Sequence, residues 1–364
     1  MKILQVITSL QIGGAEKLIV DMVPLLKERG YKVDVLLFNG KNTPFKEQLQ
    51  KKNIRVFELG KGGSVYNPLF ILKLIPFLSR YEIIHTHNTA CQYFVALAKF
   101  ISCIDTKFVT TEHSTCNRRR AYSIFRILDK LMYRQYDRIV SISEIASEKL
   151  IDYLGDSTGI SVIPNGININ LFSGSNPIDR EELGIASNGY MITMVAGFRH
   201  EKDQDTLIRS MVLLPRNYYL CLVGDGIRRL ICEKLAKELG VMNRVIFTGI
   251  RSDIPRILQA SDIVVMSSHW EGLSLSSIEG MSVNKPFIAS DVNGLHEITE
   301  GAGVLFPKGD VELLAKEIER LMGDSGYYQT IAVQCKKRAS VYDIRKTVEN
   351  YEGLYKKMIR KFSC

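Results

Sequence analysis

No two of the seven cysteines in this chain form a C-x-x-C pair; Cys91, Cys103, Cys116, Cys221, Cys232, Cys335 and Cys364 are scattered over 364 residues. That argues against a zinc ribbon and against the disulfide framework of a small secreted domain, so free thiols in a reducing cytoplasm are expected. Long apolar runs are also missing. The most apolar stretch, Leu69 to Leu78, is interrupted by Lys73 and Pro76 and falls short of the roughly 20 residues a membrane span needs. The opening MKILQVITSL has one lysine and no small-residue cleavage site, and predicts no signal peptide. Internal repeats and low-complexity tracts are absent.

What is present is ordinary globular composition, 46% hydrophobic and 24% charged, in a chain long enough for two domains. The net charge of +9 is unevenly placed. Residues 1–150 hold 23 Lys/Arg against 13 Asp/Glu (+10), residues 151–340 hold 19 against 23 (−4), and residues 341–364 hold 6 against 3 (+3). Such asymmetry fits one lobe facing an anionic partner, and fits equally an unevenly solvated surface.

Apolar β-branched runs alternate with helical periodicity. Strands are predicted at Ile3–Ile7, Lys32–Phe38, Tyr81–His85, Lys107–Thr111 and Arg138–Ser141, with a glycine loop and a helix over Ala15–Leu26 after the first. A second series runs through Met191–Val195, Tyr219–Val223, Arg244–Phe247, Ile263–Met266 and Pro286–Ala289. This is an α/β pattern of two doubly wound parallel sheets. The Ser-, Asn-, Gly- and Pro-rich segment 170–188 reads as the linker, giving domains over 1–170 and 171–342 and a C-terminal helix over 343–364 that crosses back to the first domain. Ligands of such sheets sit beyond the carboxyl ends of the strands, so two of them facing each other would share one cleft.

The motifs follow strands. After Ile263–Met266 comes Ser267-Ser268-His269-Trp270-Glu271-Gly272-Leu273-Ser274-Leu275, with Glu279 further on. Glu271 precedes a helix and can accept sugar hydroxyls, Gly272 allows close backbone approach, and Leu273, Ser274 and Leu275 offer N–H groups at a helix N-terminus to a diphosphate. The segment resembles the E-x7-E signature of retaining glycosyltransferase family 4. A second stretch, Gly197-Phe198-Arg199-His200-Glu201-Lys202-Asp203-Gln204-Asp205, resembles that family's phosphate-binding segment. The usual arginine position is Gly197 here, and Arg199 is the candidate to replace its charge. Gly13-Gly14-Ala15-Glu16 is similar to the family's G-G-A-E loop and is not a dinucleotide G-x-G-x-x-G. His85-Thr86-His87-Asn88 and Thr110-Thr111-Glu112-His113 resemble two further strand-end segments, and Val223-Gly224-Asp225-Gly226 another.

The resemblance implies a GT-B fold, an acceptor-binding N-terminal domain, and a donor-binding C-terminal domain. It implies transfer of a sugar from a nucleoside diphosphate to a hydroxyl with retention, in surface polysaccharide or glycolipid synthesis. Lys202 would neutralise the leaving diphosphate, Glu279 would reach the ribose, and His113 would contact the transferred sugar. Gly13 and Gly14 would approach the donor phosphates. No cofactor or metal is expected: Asp203-Gln204-Asp205 spells the metal-holding D-x-D of another fold, yet Asp205 stands where it can cap the next helix. His85 and His87 read as structural. Another GT-B sugar-nucleotide enzyme, an epimerase or phosphorylase, remains open, as does a nucleic-acid binder, although no RRM, KH or helix-turn-helix signature is present. Finally, Arg118, Arg119, Arg120, Arg126 and Lys130 suggest a basic face for an anionic membrane or acceptor. Arg126, Lys130 and Arg134 form one helical stripe, with Phe125, Leu128, Leu131 and Met132 as the apolar side.

Overall fold

The computed structural model describes all residues except 12, 103, 114–119, 121, 187 and 361–364. The chain forms two compact units, one of Met1–Gly166 with the residues from Ile344 on, the other of Ile167–Asp343.

The N-terminal unit contains β1 (Lys2–Ile7), α1 (Gly14–Glu28), β2 (Lys32–Asn39), α2 (Pro44–Lys51), β3 (Val56–Gly60), α3 (Leu69–Leu78), β4 (Ile83–His87), α4 (Thr89–Ser102), β5 (Lys107–Glu112), α5 (Ser123–Tyr133), β6 (Arg138–Ser141), α6 (Glu144–Leu154) and β7 (Ile160–Val162). Its sheet is parallel, in the order β3-β2-β1-β4-β5-β6-β7. β1 and β4 are buried over nearly their whole length, as expected of central parallel strands covered on both faces. Side chains alternate between two cores. Ile3 and Ile7 join the layer under α1, while Leu4 and Val6 join the layer under α3 to α6.

The second unit contains α7 (Ile169–Ser173), β8 (Tyr190–Val195), α8 (Gln204–Ser210), β9 (Tyr218–Val223), α9 (Arg229–Glu238), β10 (Val245–Gly249), α10 (Ile254–Ala260), β11 (Ile263–Met266), α11 (Leu275–Ser282), β12 (Phe287–Ser290), α12 (His296–Thr299), β13 (Val304–Phe306), α13 (Val311–Gly323) and α14 (Ser325–Ala339). Its sheet is also parallel, ordered β10-β9-β8-β11-β12-β13. The last helix, α15 (Ile344–Arg360), packs on α1, and its Val348, Tyr351, Tyr355 and Met358 complete the core on that face of the first sheet.

Both sheets are doubly wound, as the alternation predicts. Strand order reverses between β1 and β4 in one and between β8 and β11 in the other. These switch points open a crevice at the carboxyl ends of the strands, where ligands of such sheets bind.

Candidate active site

In the second unit the two richest motifs flank the switch point. β8 leads into the segment bearing Arg199 and Lys202, and β11 leads into the loop bearing Glu271. The structure brings Lys202 and Glu271 together: the ammonium donates to Glu271 Oε1, and the Ser268 hydroxyl donates to the same oxygen at 2.7 Å. The His269 amide donates to the Glu201 carbonyl at 2.8 Å and the Ser267 hydroxyl to the Asp203 carbonyl at 2.7 Å, stitching the two loops along their length. α11 begins directly after Ser274, which caps it by accepting from the Ser277 amide. Leu273 and Leu275 flank that cap, and Glu279 lies buried inside the helix. The Arg199 side chain is 70% exposed, with its guanidinium 3.9 Å from Glu201. It nevertheless folds back over the family's arginine position, since a Cβ on Gly197 would lie 3.8 Å from Arg199 Nε.

Two glycines that no motif argument singled out for contact hold these loops. Gly294 has φ of 88°, and a Cβ there would stand 2.3 Å from the Gly272 carbonyl and 2.5 Å from that of Glu271. The loop after β12 therefore supports the Glu271 backbone by direct contact, reinforced by the Glu271 amide donating to the Asn293 carbonyl at 3.2 Å. Gly224, with φ of 138°, does the same for Ala196, whose carbonyl would be 2.1 Å from its Cβ. That contact gives the Val223-Gly224-Asp225-Gly226 motif a physical reason.

The helix cap after Lys202 differs from expectation. Asp203, not Asp205, is the N-cap of α8, accepting from the Thr206 amide and, at 2.6 Å, from its hydroxyl. Its left-handed backbone, φ 47°, turns the carboxylate back onto the helix it starts. Asp205 lies in the first turn and accepts from Arg228 at 2.5 Å. Both carboxylates of the D-x-D string thus serve the protein's own groups.

In the N-terminal unit Gly13 caps α1 with extended backbone and Gly14 opens the helix. A Cβ on Gly13 would meet the Glu16 carboxylate at 2.3 Å. Burial pushes the Glu16 carboxyl up from its usual range, while Asn88, in a left-handed conformation after β4, donates to it at 3.4 Å.

Beside this loop His85, His87, Thr111 and His113 join a chain of polar side chains whose other members, Gln5, Tyr351 and Tyr355, belong to no motif. β1, β4 and β5 are neighbours, and their alternation points Gln5, His85, His87 and Thr111 to the face covered by α15. His113 Nε2 lies 2.9 Å from His87 Nδ1, and His87 Nε2 lies 2.8 Å from Gln5 Oε1. The Gln5 amide nitrogen donates to the Tyr355 hydroxyl at 3.3 Å, which is 2.6 Å from His85 Nδ1. His85 Nε2 then meets Thr111 Oγ1 at 2.7 Å, and Thr111 meets the Tyr351 hydroxyl at 2.9 Å. Burial lowers all three imidazoles, His113 to about 4, His85 to about 3 and His87 well below its ordinary value, so each ring is neutral at neutral pH. His87 is thus more than a strand-end residue: it is the link between His113 and the sheet.

The basic face needs correction. Arg118 and Arg119 lie outside the described residues. Arg120 does not point to solvent; its side chain is 11% exposed and lies 3.1 Å from the Glu112 carboxylate. Arg126 is exposed and donates to the Tyr153 carbonyl at 2.7 Å, while Lys130 is half-buried. The apolar residues of α5 divide instead. Met132 packs inward with Tyr133, while Ile124, Ile127, Leu128 and Leu131 are exposed, at the i, i+3, i+4, i+7 spacing of one helix face. Leu97, Phe100 and Ile101 of α4 and Leu69 and Leu72 of α3, in the same helix layer, are exposed as well.

Comparison with known proteins fits this geometry. A family described as "Glycosyl transferases group 1" matches residues 175–339, and "Glycosyltransferase Family 4" matches residues 12–171. Over 298 residues, covering 77% of this chain and 76% of the relative, the chain is 26% identical to the UDP-Gal:alpha-D-GlcNAc-diphosphoundecaprenol alpha-1,3-galactosyltransferase of Escherichia coli. It is 24% identical to the N-acetyl-alpha-D-glucosaminyl L-malate synthase of Bacillus anthracis, covering 96% of this chain and 95% of that one. Among solved structures, Anabaena HepE in complex with UDP-glucose superposes with a TM-score of 0.83 at 25% identity, over 100% of both chains. The two family matches run almost end to end over two sheets whose switch-point loops carry Lys202, Glu271 and the Gly13-Gly14 turn, and the chain therefore belongs to the group 1, family 4 glycosyltransferases.

Proposed function

We propose that this transferase takes a sugar from a UDP-sugar and attaches it, with retention of configuration, to a hydroxyl of a lipid-linked or surface glycan. The single observation that carries the reading is the Lys202–Glu271 pair at the β8/β11 switch point, beside the capped start of α11. As the bond from the anomeric carbon to the β-phosphate oxygen breaks, the electron pair leaves with the nucleotide. Lys202, Arg199 and the amides around Leu275 meet that charge where it develops. Glu271 and His113 hold hydroxyls of the transferred sugar, and Glu279 holds the ribose. No carboxylate in this set is assigned as a nucleophile, so the acceptor attacks on the face the nucleotide leaves and its proton passes to the leaving phosphate. With Asp203 and Asp205 engaged by Thr206 and Arg228, no metal ion enters the scheme. The E. coli relative is named for UDP-galactose and an undecaprenol-linked sugar, and the Anabaena structure holds UDP-glucose; both support a UDP donor here.

No helix among the described residues is long and apolar enough to cross a membrane. The proposal places the enzyme peripherally, on the cytoplasmic face of a membrane carrying its acceptor. The exposed Ile124, Ile127, Leu128 and Leu131 face of α5 supports this. An apolar side chain taken from water contributes about 1.5–3 kcal/mol when fully buried, more than the ~1 kcal/mol of a basic residue near anionic lipid.

A panel of UDP-sugars offered with and without a lipid-linked acceptor tests the reading by measuring UDP release and the anomeric coupling of the product. Acceptor-dependent UDP release with the donor's α-coupling kept is expected. An inverted product would refute retention, and no release from any donor would refute the transfer reading for UDP-sugars.

A further inference from the structure

The polar chain under α15 has a direction, and that direction reaches His113. An amide oxygen only accepts, so Gln5 Oε1, 2.8 Å from His87 Nε2, requires the proton of His87 on Nε2. His87 Nδ1 is then bare and accepts from His113 Nε2–H across 2.9 Å. The other end is consistent with this. The Gln5 amide nitrogen donates to the Tyr355 oxygen, Tyr355 donates to His85 Nδ1, His85 Nε2–H donates to Thr111, and Thr111 donates to Tyr351. Donation therefore runs one way along the whole chain, from His113 through His87 to Gln5 and from Gln5 on to Tyr351, and the Gln5 amide sets that sense because its donor and its acceptor are different atoms.

His113 Nδ1 is shielded from solvent and has no partner among the described residues. Unpaired buried acceptors are tolerated more often than unpaired buried N–H donors, which agrees with a bare Nδ1. We propose that Gln5, acting through His87, is a positioning residue that holds His113 in the Nε2–H tautomer, so that Nδ1 accepts a hydrogen bond from a hydroxyl of the sugar substrate. The inference rests on the sugar-contacting role given to His113 above. It also assigns α15 a task beyond packing. Tyr355 anchors the amide of Gln5, so a residue 350 positions away helps set a proton in the site.

The test is nitrogen NMR of the full chain with 15N-labelled histidine. Long-range proton–nitrogen correlations report the tautomer of each neutral ring, and the His113 signals are identified by their loss in His113→Asn. A protonated, pyrrole-type Nε2 and a bare, pyridine-type Nδ1 are expected in the wild type. In Gln5→Met, which keeps the volume and removes both hydrogen bonds, the two nitrogens should move toward averaged shifts. Tyr355→Phe, which removes the anchor of the Gln5 amide together with the bond to His85 and leaves the Gln5–His87 bond in place, should move them the same way. Loss of one neutral hydrogen bond corresponds to about fivefold in rate, so kcat should fall by about that factor in either variant with donor KM nearly unchanged. A wild-type His113 protonated on Nδ1, or a wild-type tautomer retained in both folded variants, would overturn the proposal. The tautomer is read without substrate, so absence of transfer from every donor would count against the proposed function and leave this reading standing.

Discussion

Replacing Lys202 with alanine separates a catalytic cation from a structural one. In the substrate-free protein its ammonium has a definite partner, Glu271, and the side chains are 20% and 10% exposed. Glu271 keeps the Ser268 hydroxyl at 2.7 Å when the lysine is gone, so the carboxylate is not left bare. Partly exposed pairs of this kind contribute on the order of 1 kcal/mol, and that loss lowers Tm by about 2–4 °C in a domain of this size. The catalytic loss should be larger. A hydrogen bond to a charged group is worth about 1.5–3 kcal/mol. If it is made mainly to the departing diphosphate, kcat falls by about 10- to 150-fold. Because that charge appears in the transition state, kcat and kcat/KM should fall together rather than KM rising alone. Steady-state UDP release and thermal unfolding of the same preparation give both numbers. A variant with wild-type kcat and a Tm drop well beyond 4 °C would show that Lys202 serves the fold, and the leaving-group assignment would fail.

Gly294→Ala should lower activity by tenfold or more with native secondary structure retained, because the new Cβ pushes on the Glu271 and Gly272 carbonyls; unchanged kcat would mean that the loop position is not critical. Acid should weaken the N-terminal unit. His85 and His113 titrate near 3 and 4 when folded and near 6.5 when unfolded, so their contribution is complete above about pH 6.5 and is lost as pH falls toward 4, by up to about 1.4 kcal/mol per unit for each ring. Urea midpoints that stay level between about pH 7 and 5 would contradict the buried neutral cluster. Exhaustive chelation should leave turnover intact, and a loss restored by manganese would return Asp203 and Asp205 to a metal-holding role. Ile124→Ser with Ile127→Ser and Leu131→Ser should abolish sedimentation with anionic vesicles even at high salt; equal sedimentation of variant and wild type would remove α5 from the docking surface.

The central strands and their order of chemistry could be read from the chain because a parallel strand covered on both faces must be a continuous apolar run. Ile263–Met266 and Arg138–Ser141 are placed to the residue. The edge strands β3, β7 and β13 are not legible, since β3 and β7 are half-exposed and broken by Glu58 and Ser161 and β13 is only three residues long, so none presents a continuous buried apolar run. β4 was read two residues early. Its last turn of sequence, His85-Thr86-His87, looks like a loop by polarity, and only the partners Gln5, Tyr351 and Tyr355, drawn from distant parts of the chain, make it a buried strand. The Lys202 and Glu271 segments were legible because glycine, charge and strand end coincide within a few residues. Their supports at Gly294 and Asn293 were not, because a backbone contact between loops leaves no pattern in either one.

The same limit explains α5 and gives its exposed face significance. Periodicity in 123–133 identifies an amphipathic helix, but apolar residues occupy two sides of it, and the sequence does not say which side meets the sheet. The structure turns inward the side that includes Asp129. That carboxylate is fully buried, accepts from the Tyr153 hydroxyl at 3.0 Å and from the Tyr93 hydroxyl, and so meets partners that offset its desolvation. With a satisfied aspartate and Met132 inside, the isoleucines and leucines are left outside, where solvation of a monomeric enzyme alone would favour the reverse arrangement. Apolar side chains on α3 and α4 are exposed in the same helix layer, so the face extends beyond one helix. Exposed apolar side chains on three helices of one layer are the kind of surface that meets an apolar partner rather than water alone.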